Sequence, residues 1–491
     1  MKNKELYTQA GDYKPNRIRF GLGTLGRDML YTAITTFLLT HYFAYVLGFE
    51  GWMWIAIGTI ITIVKVIDAF NDPFMGVIID NTKSKWGKFK PWILWGGIAF
   101  GLLTIGMYSI YNLDGIVFII AFAVMHVVQE IAFTLNDIAY WSMVPSLTKN
   151  PKEKNIISSV ARICANIGAF SIIVLLPILI STEDVWKDGI VGGEIIGRNV
   201  TGPLVDLFNG NYKLAYLIFM VALVLIAQGF QLFNLIGIKE KQVGMLSDDK
   251  EEKTTIKDIF RIIFKNDQLL VVAIAMLLIN TAFQITVMFG VDYFTLVYKN
   301  AQMYSMFAAV LGVSQILGLV FYPLLCKKMP KKKVFMIGAV GMIVGYLAFF
   351  FSPANMIFIG ISGFILFVGQ GFMQALIIVF ITDSIEYGHL KFKKRNESVS
   401  FAVQPFVYKI SSAIGMAVIT ITFALPFLSG VRRKEMPEQI TALGEWTIKG
   451  TMLLIPAILV LIAGIIFYKK YKIDEKAYEE ILLGIKQLDG K

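Results

Sequence analysis

The sequence has few of the residues from which disulfide frameworks and zinc sites are built. Only Cys164 and Cys326 occur, and the three histidines lie far apart in the chain. Charged residues make up 16% of the 491 residues, against about 25% in average globular proteins. Hydrophobic residues make up 56%. This composition excludes a disordered chain, a nucleic-acid-binding protein and an ordinary cytosolic enzyme, and no cofactor site is expected.

Long apolar stretches fill most of the chain. A helix needs about 20 apolar residues to cross about 30 Å of hydrocarbon. Twelve segments meet this condition, at 24–47, 53–80, 91–111, 116–142, 156–180, 213–238, 268–298, 302–325, 333–351, 355–383, 399–428 and 447–468. The polar leader before the first segment, with Pro15 and Arg17, argues against a cleaved signal peptide. The sequence therefore predicts an all-α membrane protein with twelve transmembrane helices.

The distribution of lysine and arginine predicts the orientation. Most of the 46 basic residues fall in the two tails, the central loop and the loops on the side of the N-terminus. Cytoplasmic loops carry such an excess of basic residues. We therefore expect an integral protein of the plasma membrane with both termini in the cytoplasm.

A charged stretch, Lys239 to Asp267, divides the segments into two groups of six. This predicts an N-terminal six-helix half at 1–238, a central cytoplasmic loop at 239–267, and a C-terminal six-helix half with a cytoplasmic tail at 268–491. Two six-helix halves are the arrangement of the major facilitator fold, whose substrate site lies near the midplane.

Ionisable residues within the predicted spans are costly, and they usually mark a transport pathway or an internal ion pair. Acidic residues outnumber basic residues within the predicted spans, so a bound cation or protons are expected to balance the charge. The acids are Asp28, Asp68, Asp72, Glu130, Asp137 and Asp292, and the bases are Arg27, Lys65, Arg162 and Lys409. We assign no role to Glu130 or Asp292.

Asp68 and Asp72 are four residues apart, so their carboxylates share one helical face and repel each other. Either one of them is protonated or a cation lies between them. Asn71, and Thr134 on another helix, supply further oxygens for a hard cation such as Na⁺. The alternative is that Lys65, one turn before Asp68, only neutralises it.

Trp141 lies one turn beyond Asp137 and shares its face. A carboxylate beside an indole suits a sugar, because the acid accepts from hydroxyls while the ring packs against the C–H face. Arg27, Arg162 and Lys409 supply donors for other hydroxyls or for a substrate carboxylate. The alternative is that Trp141 is an anchor at the membrane interface.

The motifs resemble those of the glycoside–pentoside–hexuronide:cation symporter family, to which the melibiose permease belongs. They occur in order over both halves. The matching pieces are Gly26-Arg27-Asp28, Asp68-Ala69-Phe70-Asn71-Asp72-Pro73, Trp86-Gly87-Lys88-Phe89-Lys90-Pro91-Trp92, Asp137-Ile138 with Trp141-Ser142, Lys265-Asn266-Asp267-Gln268, Asp383, Tyr387-Gly388, Arg395, Glu397-Ser398 and Lys409.

The resemblance implies three sets of residues. The coupling cation would be bound by Asp68, Asp72, Asn71 and Thr134, with Asp68 and Asp72 as the metal ligands if the cation is Na⁺. The sugar would be bound by Asp28, Arg27, Asp137, Trp141, Arg162, Asn166 and Lys409. Cytoplasmic gates would include Asp80, Lys88, Asp383 and Arg395.

These residues predict a secondary active transporter that imports a glycoside, pentoside or hexuronide with a monovalent cation, by alternating access. Na⁺ is the first choice and a proton the alternative. A lysophospholipid transporter is a further alternative, which the acidic Asp28 and Asp137 disfavour. We expect partners limited to a sugar, the bilayer and a separate regulatory protein, since no fused regulatory domain is expected beyond Lys491.

Overall fold

A computed structural model describes residues 14–80, 82, 84–147, 151–186, 195–238, 264–393, 403–432 and 438–488. Long helices dominate it. Helix α1 is Lys14–Thr32 and continues as the π-helical segment Ala33–Val46. The others are α2 Gly51–Asp80, α3 Lys90–Ser109, α4 Gly115–Ser142, α5 Pro151–Leu179, α6 Tyr212–Gly237, α7 Asp267–Val297, α8 Met303–Cys326, α9 Lys331–Phe351, α10 Met356–Phe392, α11 Val403–Phe423, α12 Ala442–Lys470 and α13 Glu475–Leu488.

Eleven of these helices, α2 to α12, are long and apolar enough to cross a membrane within the described residues. Helix α1 contains the first of the twelve predicted spans. It is not among these eleven, and it carries more polar residues than they do. Some predicted bounds were wrong, because α1 begins at Lys14 instead of residue 24 and α10 ends at Phe392 instead of residue 383. Backbone hydrogen bonds continue a helix through polar turns, which a search for apolar residues does not detect.

The described chain divides into two compact units. The N-terminal unit contains α1 to α6 and Arg432, and the C-terminal unit contains α7 to α13. Residues 239–263 of the predicted central loop lie outside the described residues.

The two units repeat one packing pattern. In the N-terminal unit α1 packs against α5 and α6, α4 packs against α2 and α3, and α3 also packs against α6. In the C-terminal unit α7 packs against α11 and α12, α10 packs against α8 and α9, and α9 also packs against α12. Each helix thus has the neighbours of the helix six places earlier, so the fold is an internal structural repeat of the kind seen in transporters.

Small residues let the helix backbones approach each other closely. A Cβ at Gly168 of α5 would collide with the backbone carbonyl of Leu25 in α1. A Cβ at Gly318 of α8 would lie 2.5 Å from the carbonyl oxygen of Val368 in α10. Close glycine contacts are the usual way in which membrane helices pack without a hydrophobic driving force.

The predicted long loop after α5 contains a two-stranded antiparallel hairpin, β1 Ser181–Trp186 and β2 Ile195–Thr201. Arg198 of β2 is buried and lies 2.7 Å from the carboxylate of Asp184 in β1. Its guanidinium also lies 5.1 Å from the ring centroid of Tyr45 at the end of α1. The two strands therefore pack against α1 through Arg198.

Candidate functional site

Arg27 of α1 is the centre of the first charged cluster in the N-terminal unit. Its Nη2 lies 3.0 Å from Oδ2 of Asp28, and its Nη1 lies 2.7 Å from Oδ1 of Asp137 on α4. The arginine is only 3% exposed, whereas the carboxylates of Asp28 and Asp137 are 20% and 33% exposed. One buried guanidinium therefore holds two acids that are still accessible to a ligand.

Two aromatic rings of α4 lie against the same guanidinium. Its central carbon is 5.1 Å from the ring centroid of Tyr140 and 5.6 Å from that of Trp141. The Tyr140 hydroxyl is already used, since it donates to the carbonyl oxygen of Phe20 at 2.5 Å. Trp141 is half-buried. Its ring thus provides an apolar surface next to accessible carboxylates, as a sugar requires.

One hydrogen-bond donor of Arg27 is unsatisfied. Within the described part of the chain its buried Nε has no hydrogen-bond partner. An unsatisfied buried donor costs free energy. Sequence reasoning grouped Arg27 with Asp28, Asp137 and Trp141, and the structure brings Arg27 into contact with all three. Tyr140 is an additional member that the sequence did not single out.

A second buried cluster joins α1, α2 and α4. Nζ of Lys65 lies 2.7 Å from Oε1 of Glu130 and 3.2 Å from the hydroxyl of Tyr31. The Tyr31 ring stacks on Phe133 with centroids 4.1 Å apart. Glu130, to which the sequence gave no role, is therefore the hydrogen-bonded ion-pair partner of Lys65. Its position on another helix hid this relationship from sequence spacing.

Asp68 belongs to the same cluster. It is 4% exposed, and its Oδ1 accepts a hydrogen bond of 2.5 Å from the hydroxyl of Thr134. Lys65 and Asp68 are three residues apart on α2, and Glu130 and Thr134 are four apart on α4, so the ion pair and this hydrogen bond lie on neighbouring turns. Lys65 thus bonds to Glu130, and the alternative that it neutralises Asp68 stays a prediction.

Asp72 and Asn71 follow Asp68 on α2 and are half-buried. The carboxylates of Asp68 and Asp72 lie one helical turn apart, as their spacing predicts. Among the described residues no group of three His, Cys, Asp or Glu side chains could hold a metal ion. A cation at this position would therefore depend on neutral oxygens, such as the Thr134 hydroxyl and the Asn71 amide, beside the two carboxylates.

The other predicted substrate residues are more dispersed. Arg162 of α5 is exposed and Asn166, one turn further along, is half-buried. Lys409 of α11 is half-buried and belongs to the C-terminal unit. Their part in substrate binding stays a prediction.

Four residues were predicted to form cytoplasmic gates, and the structure describes the side chains of two. The side chain of Asp80 and all of Arg395 lie outside the described residues. Nζ of Lys88 lies 5.3 Å from the ring centroid of the neighbouring Phe89. Asp383 of α10 is 2.9 Å from Nζ of Lys331 at the start of α9. The partner of Asp383 is therefore a residue of its own unit.

The Lys331–Asp383 pair belongs to a polar network at one end of the C-terminal unit. The sequence did not predict this network. Asp267 at the start of α7 accepts hydrogen bonds from Lys391 at 2.6 Å and from Tyr387 at 3.1 Å. Glu475 at the start of α13 accepts from the backbone N–H of Lys331 at 2.8 Å. The network ties α7, α9, α10 and α13 together.

Comparison with known proteins agrees with the fold. The lactose permease of Leuconostoc lactis is 29% identical over 482 residues, which are 96% of this chain and 71% of that protein. The raffinose carrier protein of Pediococcus pentosaceus is 26% identical over 98% of this chain and 72% of its own length. The crystal structure of the nucleoside transporter NupG superposes with a TM-score of 0.61, at 16% identity, over 93% of this chain and 99% of that one.

A family model described as MFS/sugar transport protein matches residues 19–475. This match covers nearly all of the membrane-spanning helices of both units. Such proteins are integral membrane transporters and not enzymes. The chain belongs to the MFS/sugar transport protein family, within the glycoside–pentoside–hexuronide:cation symporters.

Proposed function

We propose that this sugar transporter carries a neutral saccharide together with one Na⁺ ion into the cytoplasm. The observation that carries the proposal is the buried cluster in which Lys65 pairs with Glu130 while Thr134 donates to Asp68, one helical turn from Asp72. Two neighbouring carboxylates within a membrane span are costly unless a cation or a proton balances their charge. A monovalent cation beside Asp68 and Asp72 would remove that cost.

The other charged cluster supports a neutral substrate. Arg27 is already paired with Asp28 and Asp137, so the three side chains carry one net negative charge. An anionic hexuronide would be repelled there, whereas sugar hydroxyls can donate to the two accessible carboxylates. The relatives named for lactose and raffinose carry saccharides without an acidic group. We therefore favour a neutral glycoside.

Helix α4 connects the two proposed sites. It carries Glu130 and Thr134 of the cation cluster, and Asp137 and Trp141 of the substrate cluster, within twelve residues. That length is about 18 Å of helix. A cation that fixes Thr134 against Asp68 would fix the same helix at Asp137. Since binding linkage is reciprocal, the sugar would strengthen cation binding by the same factor, typically about 5- to 150-fold.

Uptake into proteoliposomes tests the proposal. Radiolabelled lactose, raffinose and a hexuronide are offered under an imposed Na⁺ gradient and, separately, under a pH gradient. We expect Na⁺-driven uptake of a neutral saccharide, and Asp72→Asn should abolish its Na⁺ dependence. Thr62→Val is the control on α2, since the Thr62 hydroxyl donates to the backbone carbonyl of Gly58 in its own helix. Uptake driven by the pH gradient alone would establish a proton as the coupling ion, and uptake of the hexuronide alone would overturn the substrate assignment.

A further inference from the structure

An apolar groove runs along the outer surface of the N-terminal unit between α1 and α6. It has a volume of about 440 Å³ and is lined by Leu22, Ile226, Gly229, Phe230 and Phe233. Small-molecule sites range over about 300–1,000 Å³. Ile226 and Phe233 are each 48% exposed on spans that cross the bilayer. The groove is thus of suitable size for a ligand and is accessible from the hydrocarbon.

Gly229 keeps the middle of this groove open. A Cβ at this position would meet no atom within 4 Å. Glycine is therefore not required there for helix packing, in contrast to Gly26 of α1, where a Cβ would lie 2.9 Å from the backbone of Ala227. A larger side chain at position 229 would occupy the groove without disturbing the contact between α1 and α6.

Arg19 lies at one end of the groove. Its guanidinium carbon is 5.9 Å from the ring centroid of Phe233, and its Nη1 donates to the carbonyl oxygen of Gly237 at 2.5 Å. Gly229, Phe233 and Gly237 are spaced by four residues, so they follow one face of α6. From Gly229 to Gly237 this face extends over about 12 Å. The apolar groove therefore leads directly to a cation at the helix end.

Arg19 can bind an additional acceptor. A guanidinium has five N–H donors in a planar fork that matches the geometry of phosphate. One donor is used by Gly237, and the side chain is partly exposed. The last turn of α6 ends in a carbonyl-rich helix terminus, so the positive charge is well placed there.

We propose that this groove is a binding site for an anionic phospholipid, with one acyl chain along Leu22, Gly229 and Phe233 and the phosphate at Arg19. A phospholipid meets both features, because it joins an apolar acyl chain to an anionic phosphate. The proposal does not depend on the transported substrate or on the coupling ion.

Native mass spectrometry of the purified full-length protein tests the site. Phosphatidylglycerol is titrated into the detergent-solubilised transporter, and the occupancy of the tightest site is measured. Arg19→Gln should weaken it roughly tenfold, as loss of a charged hydrogen bond typically does, and Arg19→Lys should retain part of it. Gly229→Leu should block it sterically. The matched control is Gly360→Leu, since Gly360 of α10 also has open space around its Cβ.

The outcomes are distinct. Equal loss of binding in Gly229→Leu and Gly360→Leu, or full binding in Arg19→Gln and Gly229→Leu, would overturn the proposal. Competition by glycerol 3-phosphate, which has no acyl chain, would show that Arg19 binds a free phosphate and would also overturn it. An unchanged thermal unfolding temperature of each variant in detergent is the folding control. Tight phosphatidylglycerol binding that both variants weaken supports the site.

Discussion

Nζ of Lys65 lies 2.7 Å from Oε1 of Glu130, and each of the two side chains is 3% exposed. The pair joins α2 to α4 inside the N-terminal unit, next to the proposed cation site. A buried ion pair contributes little when intact, because desolvation offsets most of the attraction, but removal of one partner leaves a buried charge. Its role is therefore best tested by breaking it.

Lys65→Met should lower the free energy of unfolding by about 3–5 kcal/mol, since it leaves Glu130 without its ion partner. Denaturant or thermal unfolding in detergent measures the change. Lys299→Met is the control, because the pair of Lys299 with Glu445 is 3.6 Å long and over a third exposed on both sides, and such pairs contribute about 0–1 kcal/mol. Equal losses in the two variants would contradict the proposed importance of burial.

Thr134→Val should weaken cation binding about 10- to 150-fold, because it removes a hydroxyl bonded to a buried carboxylate, a contact of about 1.5–3 kcal/mol. Valine keeps the shape of threonine, so the fold should persist. The concentration of Na⁺ that half-saturates sugar binding measures the effect. Thr134→Ser, which keeps the hydroxyl, should bind the cation like the wild type. Unchanged Na⁺ dependence in Thr134→Val would place the cation elsewhere.

Arg27→Lys should lower saccharide affinity by tenfold or more, with a smaller change in the intrinsic affinity for the cation. Lysine keeps the charge but has no planar fork, so it cannot hold Asp28 and Asp137 together as Arg27 does at 3.0 and 2.7 Å. One charged hydrogen bond lost is about 1.5–3 kcal/mol. Direct binding of sugar and of Na⁺, each without the other, separates the two effects. A loss confined to the cation would contradict the assignment of Arg27 to the substrate.

Asp383→Asn should destabilise the C-terminal unit instead of opening a gate, because its partner Lys331 belongs to that unit. The carboxylate is 5% exposed, so the expected cost is about 1.5–3 kcal/mol. Lys391→Gln is the comparison, since the pair of Lys391 with Asp267 is 39% and 50% exposed and should contribute about 0–1 kcal/mol. A large change in the accessibility of the substrate site from the cytoplasm, without loss of thermal stability, would instead support the predicted role of Asp383 as a gate.

Part of the candidate site could be predicted from the sequence. Helical spacing places Asp68 beside Asp72 and Asp137 beside Trp141, because residues four apart always share a helical face. The same reasoning cannot find Glu130 opposite Lys65 or Tyr140 beside Arg27, since these contacts join separate helices. Their geometry depends on how α1, α2 and α4 pack.

The sequence by itself determined the class of the molecule. Apolar length fixes membrane-spanning helices, because a bilayer leaves a backbone few other ways to satisfy its hydrogen bonds, and the ordered motifs indicated the family. Only the tertiary structure decided which acid pairs with which base, that the loop after α5 forms a hairpin around Arg198, and that the two units repeat one packing pattern. The physical reason is that these features arise from close side-chain contacts between distant segments, whereas hydropathy and helical spacing are local properties.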